Sequence, residues 1–313
     1  MTRHAPAAGT ALTALLLAAP ALAAQSQGAY EEAPALGYTA VEAPLTVPAG
    51  VELGPSSSVA ADADGHLYVF HRGANPIAEF DADGHHLRSF GDDHGFERPH
   101  GLRIDADGNL WVTDVRSHFV LKLSPGGEVL MTIGVPGQAG APGERLLNEP
   151  NDIAFGPDGE IFIAQGHGNA VPGVVKLDRN GAFLASWGSE GSGIGEFDIA
   201  HSIIVDDEGH VHVADRQNQR IQVFDLDGNF IRQRRYAGLP CGLAMHEGTI
   251  YMVSGFSGQL LRLAPDGSVA AATGRSGDGW GAFGEAHYLA IDPDGEIFVA
   301  DPVSGEVEKF VRR

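Results

Sequence analysis

The sequence contains almost no cysteine and has a shortage of positive charge. Cys241 is the single cysteine among 313 residues, so no disulfide can form within the chain. Only 20 Lys and Arg residues oppose 41 Asp and Glu residues, which gives a formal net charge of −21. Such an acidic surface repels phosphate backbones, so nucleic acid is not expected as a partner. The charge is interpreted as keeping the protein in solution.

Long apolar runs are also scarce, except near the N terminus. Arg3 and His4 precede an apolar stretch over residues 11–22, and Ala21-Leu22-Ala23 has the small side chains of a cleavage site. Residues 1–24 are therefore expected to be a signal peptide, and the mature protein is expected to be periplasmic or secreted. The alternative is an uncleaved anchor, but the stretch is too short to span a bilayer as a helix. Beyond it we expect no membrane span, and we expect a monomer.

Helical periodicity is weak, whereas glycine is abundant, at 43 residues. A turn that resembles D-x-D-G recurs six times, and such turns connect the strands of hairpins because they accept a positive φ. We expect residues 25–53 to be a leader and residues 54–313 to be an all-β, six-bladed β-propeller. The six turn glycines are Gly65, Gly108, Gly159, Gly209, Gly248 and Gly295.

The last copy of the repeat has room for only three strands before the chain ends. A propeller closes its ring when an earlier strand completes the last blade, which removes unpaired edges from the junction. Residues 38–47 alternate enough to be a strand. We expect them to supply the missing fourth strand of blade 6.

One repeat position carries histidine in every second copy. The residue eight before the turn glycine (seven in copy five) is spaced by 43, 51, 50, 40 and 46 residues, which suits one blade per copy. Alternate blades of a six-membered ring share a pseudo-threefold axis, so these histidines are expected to meet at the channel mouth. Three imidazoles with an open position suit Zn²⁺, with Fe, Co, Ni, Cu or Mn as alternatives. The residues at this position are Ser57, His100, Asn151, His201, Cys241 and His287.

Two further positions of the repeat carry charged residues. Fourteen residues after the histidines stand Asp114, Asp215 and Asp301, which are expected to cap the turn after the second strand or, alternatively, to orient the histidines. One residue further, copies one and four carry Arg72 and Arg216, from blades that face each other across the ring. Two guanidiniums in this arrangement can grip a carboxylate, although surface salt bridges are an equal alternative.

His167 lies on the matching loop of copy three. Its imidazole can act as a general acid or base, or it can be an exposed loop residue. His71 is expected to pack, and Cys241 to be a buried, inert thiol. The remaining histidines share no register and are expected at the surface. They include His85, His86, His94, His118, His210, His212 and His246.

Several stretches resemble a known family. Pro99-His100-Gly101-Leu102 with residues 111–114, and Ala200-His201-Ser202-Ile203 with residues 213–216 and 220–224, are similar to NHL-repeat propellers. More narrowly, the chain from about residue 54 to 310 resembles the peptidyl-α-hydroxyglycine α-amidating lyases.

The resemblance implies zinc held by His100, His201 and His287, and a substrate bound by Arg72 and Arg216. It implies cleavage of the C–N bond of a carbinolamide to an amide and glyoxylate, with a base that removes the hydroxyl proton. Metal chemistry of this kind lowers the pKa of a bound hydroxyl.

The chain departs from the family at three places. His167 stands where the family has a tyrosine, so either His167 takes over that proton or the reaction differs. Glu285 and Tyr288 flank the third histidine in place of a methionine and an acidic residue, which argues against the family's structural calcium. The family's disulfides are absent. Two alternatives to such a lyase are a non-catalytic NHL propeller that binds protein or glycan, and a metal-dependent hydrolase or other lyase.

Overall fold

The described part of the chain forms a ring of six four-stranded antiparallel sheets. The computed structural model describes residues 29–140, 146–168 and 170–313. This architecture is a six-bladed β-propeller, which confirms the fold predicted from the repeat. The expected signal peptide, residues 1–24, lies outside the described residues. Within those three ranges, no helix has the length and apolar character needed to cross a membrane.

The strands are numbered in chain order, beginning with β1 (Tyr38–Val41). Blade 1 contains β2 (Ser56–Ala61), β3 (Leu67–His71), β4 (Ile77–Phe80) and β5 (His86–Phe90). Blade 2 contains β6 (Pro99–Ile104), β7 (Leu110–Asp114), β8 (Phe119–Leu123) and β9 (Val129–Gly134). Blade 3 contains β10 (Pro150–Phe155), β11 (Ile161–Gln165), β12 (Gly173–Leu177) and β13 (Phe183–Trp187).

The second half of the ring has the same organisation. Blade 4 contains β14 (Ala200–Val205), β15 (Val211–Asp215), β16 (Arg220–Phe224) and β17 (Phe230–Arg235). Blade 5 contains β18 (Pro240–His246), β19 (Thr249–Ser254), β20 (Gln259–Leu263) and β21 (Val269–Thr273). A short parallel pair follows, β22 (Arg275–Ser276) and β23 (Ala282–Phe283). Blade 6 contains β24 (Tyr288–Ile291), β25 (Ile297–Ala300) and β26 (Val307–Arg312).

The ring closes through the leader. Strand β1 pairs antiparallel with β26, with Tyr38 opposite Arg312 and Val41 opposite Lys309. Blade 6 therefore receives its fourth strand from residues near the start of the described chain, as expected from the sequence. The strand is shorter than the expected residues 38–47, because the chain leaves β26 after Val41. Thr46 instead forms an isolated bridge with His85 of blade 1.

An aspartate holds the recurring turn of the inner hairpin in the same way in blades 1, 2 and 4. In blade 2, one carboxylate oxygen of Asp105 accepts the backbone N–H groups of Asp107 and Asn109 over 3.0 and 2.9 Å. Gly108 adopts φ +81 and donates to the backbone oxygen of Asp105. A side chain strains this left-handed conformation, so the turn requires glycine.

Apolar clusters fill the spaces between neighbouring blades. Between blades 1 and 2, for example, Phe70, Ile77 and Phe119 are fully buried. Blades 6 and 1 pack through a cluster of the same kind, which includes Phe80 and Val307. Each such side chain contributes about 1.5–3 kcal/mol by leaving water. The ring junction is thus packed like the other blade interfaces.

The inner strands carry an irregularity at the histidine register. In blades 1 to 5, the pairing of the first strand with the second shifts across the aligned position, between Pro99 and Leu102 in blade 2 and between Ala200 and Ser202 in blade 4. A bulge leaves a residue outside the ladder and re-aims its side chain. This irregularity turns His100 and His201 towards the channel.

Candidate metal centre and the cavity above it

The three aligned histidines meet on the central axis. His100 and His201 lie near the start of β6 and β14, and His287 immediately precedes β24. Their ring centroids lie 4.8–4.9 Å apart, and one nitrogen atom from each ring lies within 4.8 Å of the other two. All three side chains are buried. The group can therefore hold one metal ion.

Backbone carbonyl groups set the tautomer of each ring. The Nδ1 atom of His100 donates to the carbonyl oxygen of Asn151 over 2.9 Å. His201 donates in the same way to Cys241 over 3.0 Å, and His287 donates to Ser57 over 2.7 Å. A carbonyl oxygen only accepts, so Nδ1 carries the proton and Nε2 keeps its lone pair.

The Nε2 atoms are the free ligands of this arrangement. Those of His100 and His201 are buried and have no hydrogen-bond partner within the described ranges. Burial, followed by the neighbouring imidazoles, holds the pKa of His100 well below its ordinary value. Burial likewise lowers the pKa of His201 and His287, with further lowering by nearby guanidiniums. The rings are therefore neutral, as metal ligands must be.

Tyr288 forms the floor of the site. Its ring lies 4.9–5.5 Å from the three histidine rings, and it stacks on that of His201. Its hydroxyl donates to the backbone oxygen of His201 over 2.6 Å. Burial raises its pKa well above the usual value. Tyr288 therefore stays a neutral hydrogen-bond donor that holds the histidine layer.

A buried ion pair lies beneath Tyr288. Arg103 donates from Nε and Nη2 to the two carboxylate oxygens of Asp152 over 2.9 and 2.6 Å. The guanidinium carbon lies 5.7 Å from the centroid of the Tyr288 ring. Ser202 also donates to Asp152 over 2.7 Å. This network packs against Tyr288 and joins blades 2, 3 and 4, whereas the loops beside His287 leave an open side.

A cavity of about 210 Å³ lies on the open side of the histidines. It is formed by the loops after the second strand of a blade and by the loops that enter the first strand. Its lining is strongly polar. The lining residues are Arg72, Arg98, His167, Arg216, Gln217, Leu239, Phe256, Glu285 and His287.

The cavity brings together the two predicted arginines. Arg72 donates from Nε to the backbone oxygen of Pro99 and from Nη2 to the Ser57 hydroxyl, both over 3.3 Å. Arg216 is buried; it donates to the Cys241 sulfur over 3.1 Å and forms an ion pair with Glu285. Arg216 is thus already engaged by a carboxylate, which the sequence did not predict.

His167 lines the same cavity. Its ring centroid lies 4.7 Å from that of His100 and 5.8 Å from that of His201. Burial, and then the charges of Arg98 and Arg216, lower its pKa well below the ordinary value. The imidazole is therefore neutral and placed beside His100 and His201.

Two of the three aspartates of the second register act as caps. Asp114 accepts the backbone N–H groups of Glu97 and Arg98 with one oxygen and those of Arg116 and Ser117 with the other. Asp301 likewise accepts backbone N–H groups of its entry loop and of the turn after its strand. The capping alternative therefore describes Asp114 and Asp301. Asp215 instead accepts one N–H of its entry loop and pairs with Arg220. None of the three bonds a histidine among the described residues, because backbone carbonyls orient the rings.

Other expected residues lie as follows. His71 is buried; its Nδ1 accepts from the backbone N–H groups of Gly54 and Gly73 over 3.1 Å, and burial lowers its pKa to about 4. Cys241 is buried, and burial raises its thiol pKa to about 11. The expectation that His212 lies at the surface is wrong. It is buried because its Nε2 bonds Asp206 over 2.7 Å.

The charged residues two positions before the aligned position were not predicted to line the cavity. Arg98 and Glu285 both occupy this register and both line the cavity. Glu149 holds the same register in blade 3. A comparison of the copies at this offset shows charged residues in blades 2, 3 and 6, which is the signal that would have found them.

Comparison with known proteins supports the fold in two segments. Residues 96–123 match the NHL repeat family, and residues 158–259 match a family described as a 6-bladed beta-propeller. Streptogramin B lyase has a TM-score of 0.65 at 15% identity, covering 88% of this chain and 98% of that chain. At that identity the likeness shows the fold alone.

Several relatives have names that describe an activity. A peptidyl-glycine alpha-amidating monooxygenase A from Xenopus laevis is 30% identical over 83% of this chain. The chain spans 32% of that protein's length, and 25% and 22% of the corresponding rat and mouse proteins. A Caenorhabditis elegans protein, named as a probable peptidyl-alpha-hydroxyglycine alpha-amidating lyase, is 28% identical over 80% of each chain.

Proposed function

We propose, from the premise that this chain is an NHL-repeat β-propeller resembling the peptidyl-α-hydroxyglycine α-amidating lyases, that it is a metal-dependent lyase. Its substrate would be a carboxylate-bearing carbinolamide, cleaved to an amide and glyoxylate. The observation that carries the proposal is the unpartnered pair of buried Nε2 atoms on His100 and His201, below a cavity lined by arginines. The names of two relatives support the same reaction class.

The donor set fits a divalent metal, for which Zn²⁺ is our first choice. A buried imidazole nitrogen without a partner costs free energy unless a ligand satisfies it. Three neutral imidazoles with one open position are the donor set of catalytic zinc sites. His100, His201 and His287 would hold the ion. A bound divalent cation would supply Lewis-acid polarisation of the substrate hydroxyl.

The arginines would orient the substrate. Arg72 and Arg216 each use Nε and Nη2 in contacts with the protein, which leaves Nη1 of each for a ligand. A carboxylate between them would gain charge-assisted hydrogen bonds. It would place the neighbouring carbon, which carries the hydroxyl, above the histidines.

His167 would move the proton. Its neutral imidazole can accept the proton of the substrate hydroxyl and donate a proton to the amide nitrogen as the C–N bond breaks. A general acid or base in such a position typically contributes 10²- to 10⁴-fold to the rate. Tyr288 takes no part in this transfer, because its hydroxyl is used by the backbone oxygen of His201.

The test is glyoxylate release from α-hydroxyhippurate by the zinc-loaded protein. We expect turnover by the wild type and by His246→Ala, which removes a half-buried imidazole at the end of β18. We expect His201→Ala to release no glyoxylate. Metal without glyoxylate would contradict the reaction and leave a hydrolase or another lyase. A protein that binds no metal would contradict the enzyme and favour a binding propeller.

We also propose that the protein is exported. This rests on the signal-peptide pattern of residues 1–24 alone. Expression of the full chain in a Gram-negative host tests it by the N-terminal sequence of the protein recovered from the periplasm. Recovery of uncleaved protein from the cytoplasm alone would contradict it.

A further inference from the structure

Arg98 is a third arginine at the cavity, and its backbone is held on both sides. Its N–H donates to an Asp114 carboxylate oxygen over 2.7 Å, and its carbonyl oxygen accepts from Val115 over 3.2 Å. It stands two residues before His100, and its half-buried side chain lines the cavity beside Arg72 and His167. These two bonds fix the backbone position from which the Arg98 side chain extends.

Among the described residues, the guanidinium of Arg98 has no hydrogen-bond or ion-pair partner. Arg72 and Arg216 differ, because each is anchored by protein acceptors at two nitrogen atoms. All the N–H groups of the Arg98 side chain thus remain available to a ligand.

The charge of the cavity is also unbalanced. Its lining contains three guanidiniums and one carboxylate, Glu285, which leaves two positive charges when the imidazoles are neutral. Glu149 is a further acid whose charge partly offsets the lowering of the Arg98 pKa by burial, but it accepts from the backbone N–H of Gly168 and does not line the cavity. This positive cavity belongs to a chain of net charge −21. One substrate carboxylate neutralises only one of the two charges.

We propose that Arg98 binds a second anionic group of the substrate. The inference deepens the proposed lyase function and rests on it: the preferred substrates are carbinolamides with a carboxylate on the acyl side as well as beside the reacting carbon. The cavity of about 210 Å³ has room for a short acyl chain. N-succinyl-α-hydroxyglycine represents this class.

The reaction of that substrate is balanced without a further reactant. The hydroxyl loses its proton, its electron pair forms the C=O bond of glyoxylate, and the C–N bond breaks. The C–N electron pair stays on the amide nitrogen, which takes up one proton. The products are succinamate and glyoxylate, and nothing is oxidised or reduced.

The first experiment compares N-succinyl-α-hydroxyglycine with N-butyryl-α-hydroxyglycine, which has an acyl chain of the same length without the carboxylate. We expect wild-type kcat/KM to favour the succinyl compound by roughly 10- to 100-fold, the range for a hydrogen-bonded charge pair. Equal kcat/KM values would overturn the inference while leaving the lyase function intact.

Two variants assign the preference to one side chain. Arg98→Gln is expected to abolish the preference and to keep the wild-type Tm, because the side chain has no hydrogen-bond or ion-pair partner in the described part of the chain. Arg116→Gln removes an exposed positive charge from the same face and is expected to keep the preference. An equal loss for both substrates in Arg98→Gln would overturn the inference, since Arg98 would then hold the reacting carboxylate. An equal loss of the preference in Arg116→Gln would also overturn the inference, because the preference would then depend on the total charge of this face and not on Arg98.

A binding measurement separates this inference from the proposed function. Pimelate, whose two carboxylates are separated by five chain atoms as in N-succinyl-α-hydroxyglycine, and hexanoate, which lacks one of them, are titrated into the wild type and Arg98→Gln, with thermal stability as the readout. We expect pimelate to raise the Tm of the wild type more than hexanoate does, and this difference to vanish in the variant. That result supports the dianion site even if neither carbinolamide is cleaved. Equal Tm shifts for the two acids in the wild type would overturn it.

Discussion

The Nδ1 atom of His100 donates to the backbone oxygen of Asn151, the residue at the same repeat position in the next blade. The relation recurs from His201 to Cys241 and from His287 to Ser57. Blades 2, 4 and 6 supply the imidazole rings, and blades 3, 5 and 1 supply the carbonyl groups that orient them. Because a carbonyl cannot be removed by substitution, the orientation of the rings is independent of the side chains in the odd blades.

This relation predicts that substitutions of His201 and Asn151 have different effects on the amount of bound metal. His201→Ala should lower the bound metal at least tenfold, because one of three ligands is lost. Asn151→Ala should keep the metal, although loss of its hydrogen bond to the Ala200 oxygen costs about 1 kcal/mol of stability. Elemental analysis after dialysis gives both values. Loss of metal from Asn151→Ala would contradict this account, because the Asn151 side chain would then be needed to hold the metal site.

His167 is predicted to act through its ring nitrogen. His167→Phe should lower kcat for α-hydroxyhippurate by about 10²- to 10⁴-fold, while the metal content stays the same. His167→Tyr restores a group that can exchange a proton and should recover part of the loss. Steady-state kinetics of the three proteins decide this. Similar kcat values for the Phe variant and the wild type would exclude His167 as the proton carrier.

Asp215 is predicted to stabilise the fold rather than the chemistry. It forms a fully buried ion pair with Arg220 over 2.7 Å. Asp215→Ala leaves a buried guanidinium without its carboxylate, which costs about 3–5 kcal/mol. Asp225→Ala, at an exposed turn, should cost about 1 kcal/mol or less and is the control. Urea unfolding gives both values, and equal losses would contradict the role of the pair.

Glu308 is predicted to make stability fall as the pH rises. It is buried and accepts the N–H of Gly281 over 2.9 Å. Burial, with the charges of Glu306 and Asp301, raises its pKa to about 7 from an ordinary value of 4.5. The folded protein therefore binds more protons at Glu308 between these values, so the contribution of this group to stability is most favourable below pH 4.5 and declines as the pH rises through 7.

Glu308→Gln removes that titration and keeps an acceptor for Gly281. At pH 8 the variant should be more stable than the wild type by roughly 1–3 kcal/mol, since one pKa unit corresponds to about 1.4 kcal/mol. Near pH 4.5 the two should be similar. Urea unfolding at both pH values checks this, with the exposed Glu31→Gln as a control. A pH-independent difference would contradict the assignment.

Much of the architecture could be predicted because the repeat encodes it locally. The Asp105 to Gly108 turn needs only its own residues, so hairpins and blade spacing follow from the sequence. The symmetry of the ring then places His100, His201 and His287 together. The strand that closes the ring was predicted by counting strands, but its end at Val41 depends on contacts with blade 1.

The contacts between blades could not be predicted in the same way. The ion pairs of Arg216 with Glu285 and of Arg103 with Asp152 join residues 69 and 49 positions apart, with no repeated spacing. These ion pairs depend on side-chain reach across the ring, which local sequence does not specify. His212 differs, because it stands three residues after its turn glycine, where the other copies have a buried aromatic residue, so the repeat contained a signal for its burial. Those residues are Tyr68, Trp111, Phe162, Tyr251 and Phe298.

The most direct measurement of the central claim is anomalous diffraction at the zinc edge from crystals grown with zinc. The account predicts one strong peak on the channel axis, within about 2.1 Å of the Nε2 atoms of His100, His201 and His287. A map with no peak between the three rings, at a zinc concentration that occupies other surface positions, would contradict it.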